Sequence, residues 1–231
     1  QDVYQHLSIE STLDKREALG GTSRAQVEKA IANMLNVDDS VVFTAGHATN
    51  IAAITTLVGK KDLIVHDAFI HNSAFLGAQY SGATCYPFAH NDVSDLANIL
   101  QKHRSTYKRV LICTEGLFSM DGDIPPLTDL AKTCHESNAW LMLDDAHGFG
   151  TLGKNGGGCV EHFGLGQDDV QILVGTLGKA FGTAGAFVAG SELLIETLIQ
   201  NARTYIYTTA MPPAIAAATR VSLKLLQTEN W

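Results

Sequence analysis

Short runs of apolar residues, each closing on a small or polar residue and most of them followed by a helical pattern, recur along this chain and restrict its fold more than any other feature. The runs are Ser40 to Thr44, Leu63 to His66, Ala83 to Phe88, Arg109 to Thr114, Ala139 to Leu143 and Val170 to Val174. Strands without polar alternation are buried on both faces, so the pattern predicts a mostly parallel sheet between two layers of helices. Between the runs, Gly46 to Val58, Asn72 to Tyr80, Val93 to His103 behind a capping Asp92, and Leu127 to Ser137 behind Pro125-Pro126 read as helices. Ahead of them, Thr22 or Ser23 can cap a helix carrying Val27, Ile31, Met34 and Leu35, and residues 8 to 19 form a helical arm that turns at Gly20-Gly21. Gly156-Gly157-Gly158 reads as a flexible turn; it lacks the strand-to-helix setting of a dinucleotide fingerprint, and a Rossmann reading fails.

In open parallel sheets ligands bind beyond the carboxyl ends of the strands. Gly46, His71, Glu115, Asp144, His147, Thr176 and Lys179 all fall at or just past such an end, so the predicted fold gathers them around one crevice. Lys179 is the most telling of them. It follows a buried strand in the run Gly175-Thr176-Leu177-Gly178-Lys179-Ala180-Phe181-Gly182, where desolvation disfavours the ammonium form. A neutral amine is a nucleophile, suited to Schiff-base chemistry with a carbonyl substrate or with pyridoxal phosphate held by an acid at its ring nitrogen. Gly46 and His47 open a helix whose first amides are without partners, a seat for an anion.

The 231 residues carry a formal charge of −8, with 45% hydrophobic and 17% charged side chains, which indicates a globular domain and no electrostatic footprint for nucleic acid. No apolar run approaches the roughly 18 residues of a membrane span, and residues 1 to 10 lack the order of a signal peptide. Cys85, Cys113, Cys134 and Cys159 show no metal-site or disulfide spacing and read as reduced thiols, consistent with the cytoplasm; no metal is expected.

Three motifs carry a family resemblance: TEGLFSMDGD at 114–123, DDAHGFG at 144–150 and TLGKAFG at 176–182, with FAHND at 88–92 and YTTAMPP at 207–213 in agreement. Together they resemble the α-oxoamine synthases, pyridoxal-phosphate enzymes of the aspartate-aminotransferase fold type (fold type I). The resemblance implies a large domain built on a seven-stranded, mostly parallel sheet over residues 22–231, preceded by the helical arm at 1–21. It implies that Lys179 holds pyridoxal 5'-phosphate and moves the α-proton of an amino acid. Asp144 would pair with the ring nitrogen, His147 with Ser119 beside it would serve the phenolic oxygen, and His71 would stack on the ring. Gly46, His47 and Thr176 would seat the phosphate, Thr208 or Thr209 would reach the phosphate of a partner subunit in a homodimer, and Glu115 would orient the substrate or His71.

Within the family the motifs are most similar to members of biotin biosynthesis, which implies a decarboxylative condensation of L-alanine with a pimeloyl thioester of coenzyme A or carrier protein. Ala146 and Gly148 speak against the glycine-condensing members, 2-amino-3-ketobutyrate ligase and 5-aminolevulinate synthase. A non-catalytic scaffold subunit of the same fold is the other alternative, and retention of Lys179, Asp144 and His147 speaks against it. Family members continue past Trp231 into a smaller carboxy-terminal domain and carry a longer glycine-rich stretch where this chain has Leu19-Gly20-Gly21-Thr22, so the expectation is part of a longer chain.

Overall fold

The computed structural model describes residues 12–228, with side chains from residue 23 onward in the first helix. Seven strands form one sheet: β1 (Asp39–Phe43), β2 (Leu63–Asp67), β3 (Thr84–Phe88), β4 (Val110–Glu115), β5 (Trp140–Asp144), β6 (Ile172–Thr176) and β7 (Ala186–Gly190). Their order across the sheet is β1-β7-β6-β5-β4-β2-β3. Only β7 runs against the rest, pairing antiparallel with β1 on one side and β6 on the other. The expected mostly parallel, seven-stranded sheet is therefore present, and its one reversed strand, Ala186–Gly190, was not among the runs read as strands.

Nine α-helices accompany the strands among the described residues: α1 (Thr12–Leu35), α2 (Gly46–Leu57), α3 (Asn72–Ser81), α4 (Val93–His103), α5 (Leu127–Glu136), α6 (Gly158–Phe163), α7 (Glu192–Asn201), α8 (Arg203–Ile206) and α9 (Pro213–Thr228). Alternate residues of each strand feed two separate cores, which is why the strands read as unbroken apolar runs. In β4, Val110 and Ile112 pack with Ile31 of α1, Leu96 of α4 and Leu130 of α5 in one cluster. Leu111 and Cys113 pack with Ile54 of α2, Ala78 of α3 and Ile195 of α7 in the other. Each fully buried Leu or Ile contributes roughly 1.5–3 kcal/mol by leaving water.

Several boundaries differ from the sequence reading for local reasons. The helix runs through Gly20-Gly21 without the expected turn; glycine lowers helix propensity by only about 1 kcal/mol per residue, and the helix continues across both. Residues 8 to 11 of the arm lie outside the described residues. The strand expected from Val170 begins at Ile172, because Asp169 and Val170 donate to the Gly166 carbonyl in a turn. The runs ending at Thr114 and Leu143 each extend one residue, so Glu115 and Asp144 are the last residues of neighbouring strands and are register partners. Gly156-Gly157-Gly158 is a packed turn leading into α6: a Cβ at Gly158, whose φ is +80°, would lie 1.9 Å from Asp145 Oδ2.

Helix α1 is anchored to the sheet edge by a buried pair. Arg24 Nε donates to Glu28 Oε1 at 3.2 Å, Glu28 Oε1 accepts the Val42 amide at 2.9 Å, and the Arg24 guanidinium donates to the Val42 carbonyl. The same guanidinium lies 4.5 Å from the centre of the Tyr205 ring. Glu28 is fully buried, so truncating its partner leaves a charge in the interior. Arg24→Met is expected to lower unfolding free energy by about 3 kcal/mol in urea titrations; a loss under about 1 kcal/mol would show that the pair does not anchor the helix.

Candidate active site

Five strand exits converge on one pocket of about 210 Å³. Gly46 and His47 enter it from the start of α2, His71 and Ser73 from the start of α3, and Glu115 from the end of β4. Asp144 and His147 follow from β5, and Thr176 and Lys179 from β6. The seven residues expected at a crevice from their positions in the sequence, Gly46, His71, Glu115, Asp144, His147, Thr176 and Lys179, thus line a single cavity, together with His47 of the expected anion seat.

Asp144 is 8% exposed, and among the described residues no arginine or lysine forms an ion pair with it. Its Oδ2 accepts from Asn50 Nδ2 at 2.6 Å and its Oδ1 from the Ala146 amide at 3.2 Å. The same Asn50 amide donates to Ser73 Oγ at 2.8 Å, and Ser73 Oγ lies 2.7 Å from His71 Nδ1. Since the Ser73 amide also donates to His71 Nδ1, that nitrogen is an acceptor, and the proton of the neutral ring sits on Nε2. A hydrogen-bonded chain therefore runs from the carboxylate of Asp144 to the imidazole of His71. Gly77 permits it, because a Cβ there would lie 3.1 Å from Ile54 Cδ1 and 3.2 Å from the Asn50 carbonyl, holding α3 away from α2. Neither Asn50 nor Ser73 was singled out from the sequence: both sit inside helices, where nothing in the local pattern separates them from ordinary polar positions.

Lys179 Nζ and His147 Nε2 are 2.6 Å apart, so one must present a lone pair to the other. Burial lowers the Lys179 pKa, with the charges of Asp144 and Glu115 opposing it. Burial also lowers that of His147, and the Lys179 charge adds to this. Glu115 is pushed up to about 7 by burial and by the neighbouring Asp144. Burial thus raises an acid and lowers two bases within one pocket, drawing together groups whose ordinary ranges lie far apart.

Asp145 stands behind this surface, 1% exposed and pushed to about 7 by burial, against the opposing thiol and amide of Cys159. Its Oδ2 accepts the Cys159 amide at 2.7 Å, and its carboxyl fills space left by glycine at three separate positions. A Cβ at Gly116, Gly148 or Gly158 would fall 2.1, 2.2 or 1.9 Å from it. Ser119 lines a neighbouring hollow, with Phe69, Phe118 and Met120, that meets the pocket at Glu115. Thr208 and Thr209 lie in the connection between α8 and α9, outside the pocket's lining. The Thr176 hydroxyl lies in the turn that carries Lys179, 3.2 Å from the Gly185 carbonyl it donates to and 3.3 Å from the Gly178 amide it accepts.

A mostly parallel sheet that ends in a buried acid on one strand and leads to a lysine of lowered pKa after the next is an arrangement suited to holding an electrophilic cofactor through an amine. The chain belongs to the aminotransferase class I and II family, whose model matches residues 8–230. It is 52% identical over 91% of its length to 8-amino-7-oxononanoate synthase of Pseudomonas fluorescens, covering 53% of that protein. A solved 8-amino-7-oxononanoate synthase from Francisella tularensis superposes with a TM-score of 0.81 at 36% identity, over 97% of this chain and 66% of that one. Serine palmitoyltransferase from S. paucimobilis with bound PLP-myriocin aldimine gives 0.85 at 32% identity, over 90% and 52% respectively. The chain spans about half the length of the curated relatives it matches.

Asp145 and Glu115 make stability depend on pH in an unusual direction. An acid held at about 7 in the fold and near its ordinary value when unfolded binds a proton on folding, so its contribution is fully present below the unfolded pKa and lost as pH rises through about 7. Unfolding free energy is expected to fall as pH rises from about 4 to about 7 and to level off above that. In Asp145→Asn about half of that fall, on the order of 4 kcal/mol over the whole transition, should vanish, leaving the part due to Glu115. An unchanged slope in the variant, followed by urea denaturation at each pH, would place the buried proton elsewhere.

Proposed function

We propose that the protein is a pyridoxal-phosphate enzyme that joins L-alanine to a pimeloyl thioester of coenzyme A or a carrier protein, releasing carbon dioxide and the thiol and forming 8-amino-7-oxononanoate for biotin biosynthesis. The observation that carries this reading is the placing of Lys179, His147 and Asp144 on adjacent strand exits in a chain 52% identical to a synthase of that name. The reading includes a cytoplasmic homodimer in which residues 22–231 form the large domain and 1–21 an arm.

The pocket suits the cofactor on its own geometry. Asp144 is a buried carboxylate that lacks an ion-pair partner among the described residues, and a protonated ring nitrogen would neutralise it. Ala45 caps α2 without a side-chain hydrogen bond, so the amides opening that helix remain available to a phosphate. When bound, pyridoxal phosphate supplies an electron-withdrawing ring that stabilises negative charge on the amino acid's α-carbon.

In this reading Lys179 holds the cofactor and moves the α-proton of L-alanine, both tasks of a neutral amine. The lowered pKa of the lysine increases that form. Asp144 keeps the ring nitrogen protonated, and Asn50 holds the carboxylate in place. His71, turned by Ser73, offers its ring to the pocket. His147 would donate to the cofactor's phenolic oxygen, with Ser119 contributing across Glu115, and Thr176, Gly46 and His47 would hold the phosphate, joined by Thr208 or Thr209 of a second subunit. Glu115 orients the incoming amino acid.

The test is an absorbance titration of the product of the complete reading frame with pyridoxal phosphate, followed by L-alanine and then glycine. A visible band that responds to L-alanine and is missing in Lys179→Ala, together with a loss of at least about 10²-fold in product formation, is the expected result. A response to glycine alone would transfer the protein to the glycine-condensing members of the family. Failure of any band to form would leave a non-catalytic scaffold.

A further inference from the structure

Outside the residues already given a role, His90, in the connection between β3 and α4, meets a carboxylate at each ring nitrogen. Its Nδ1 lies 2.8 Å from Asp67 Oδ1 and its Nε2 lies 2.8 Å from Asp123 Oδ2. Ionised carboxylates only accept, so one at each ring nitrogen favours the imidazolium, which donates at both; Asn91 Nδ2 also lies 3.2 Å from Nε2 and donates to Asp123 Oδ2 at 2.7 Å. Burial opposes that charge, and the hydrogen bonds and charges of Asp67 and Asp123 outweigh it, leaving the His90 pKa raised.

The two carboxylates belong to different parts of the site wall. Asp67 ends β2 and is fully buried; it also accepts the amides of Phe69 and Asn91. Asp123 closes the loop after β4, where the Phe118 amide donates to the Asp123 carbonyl and the Gly122 amide to the Phe118 carbonyl. The His90 ring is stacked on Phe69 at 4.3 Å and meets Phe118 edge-on at 4.5 Å. Phe69, Phe118 and Met120 are the apolar walls of the hollow of about 340 Å³ that meets the active-site pocket at Glu115. Phe69 is 57% exposed and Met120 90%, an apolar surface continuous with the pocket where the amino acid would react.

Resting on the synthase reading above, we infer that His90 is a positioning residue for the second substrate: by bridging Asp67 and Asp123 it holds Phe69 and the Phe118–Asp123 loop as the walls that receive the aliphatic chain of the acyl thioester. The ring touches neither reacting group. Its effect falls chiefly on the acyl half of the reaction: of the residues given to the amino-acid half, only Ser119 lies on this loop, and Lys179, Asp144, His147 and His71 stand across Glu115 in the main pocket.

The experiment uses the full-length holoenzyme and separates the halves. Exchange of the α-proton of L-alanine in deuterated water, without acyl donor, reads the first; kcat/KM for the pimeloyl thioester reads the second. In His90→Gln, exchange should stay within about twofold of the parent while kcat/KM for the thioester falls about tenfold. Asp123→Asn, whose parent side chain is 40% exposed, should act the same way and serves if the first variant does not fold. Combining the two should cost little beyond either alone, as expected of one bridge. Thioester kcat/KM within about twofold of the parent, or exchange falling in step with it, would overturn the assignment. Absence of exchange in the parent itself would instead overturn the synthase reading, and this inference with it.

Discussion

The carboxylate of Asp144, taken almost wholly out of water at the end of a strand, is the constraint from which the rest of the site follows. A buried anion is tolerated when donors and positive charge are supplied around it. Here the donors come first: Asn50 from the second turn of α2 and the amide of Ala146. Asn50 reaches Asp144 because α2 lies close against the sheet, with Ala52, Ala53 and Ile54 buried beneath it, and close against α3 at Gly77. Ser73 and His71 are then oriented as extensions of the same amide. Helix packing and active-site orientation are thus one arrangement, and a change of volume between α2 and α3 would be felt at a histidine ring.

The sheet supplies the complementary half of that arrangement. Glu115 and Asp144 end adjacent parallel strands and are register partners, so two acids are held side by side, both within the electrostatic reach of Lys179. Their mutual repulsion and their burial are relieved in part by Glu115 retaining a proton to about pH 7. Lys179 stands beyond the next strand, on a turn closed by the Leu177 amide to the Gly185 carbonyl and the Thr183 amide to the Leu177 carbonyl. That turn exists because β7 reverses and returns alongside β6. The reversed strand is therefore what keeps the lysine on a tight connection at the pocket's edge, where a parallel neighbour would have required a long crossover.

What was legible in the sequence was the set of strand exits. Each parallel strand buries both faces and leaves its chemistry to the residue that follows, so Glu115, Asp144 and Lys179 announce themselves by ending or following apolar runs. Strand β7, AFVAG, is equally buried, yet its direction depends on the short loop from Leu177 to Gly185 and on pairing with β1, and neither is a property of the five residues themselves. Asn50 and Ser73 were illegible because their importance lies in which residue they meet across 94 and 23 positions of chain. The helix through Gly20-Gly21 shows the opposite error, a local punctuation signal given more weight than the small energy attached to it.

Asp145 shows why the motif around the site is rich in glycine. The carboxyl group occupies volume that side chains at 116, 148 and 158 would otherwise fill, so three loops, one after β4, one after β5 and one at the start of α6, are closed around a single acid. The backbone on either side of it is held too: the Asp145 amide donates to the Val174 carbonyl of β6, and its own carbonyl accepts the Phe149 amide. His147 lies on this short, doubly tied segment, which leaves its ring little freedom except to face Lys179. The 2.6 Å contact between them is accordingly a product of backbone closure as much as of attraction, since burial lowers the pKa of both groups. A lysine brought this close to a histidine, with no room for two positive charges, has its pKa drawn down by packing before any ligand arrives, which favours the neutral amine that its chemistry requires.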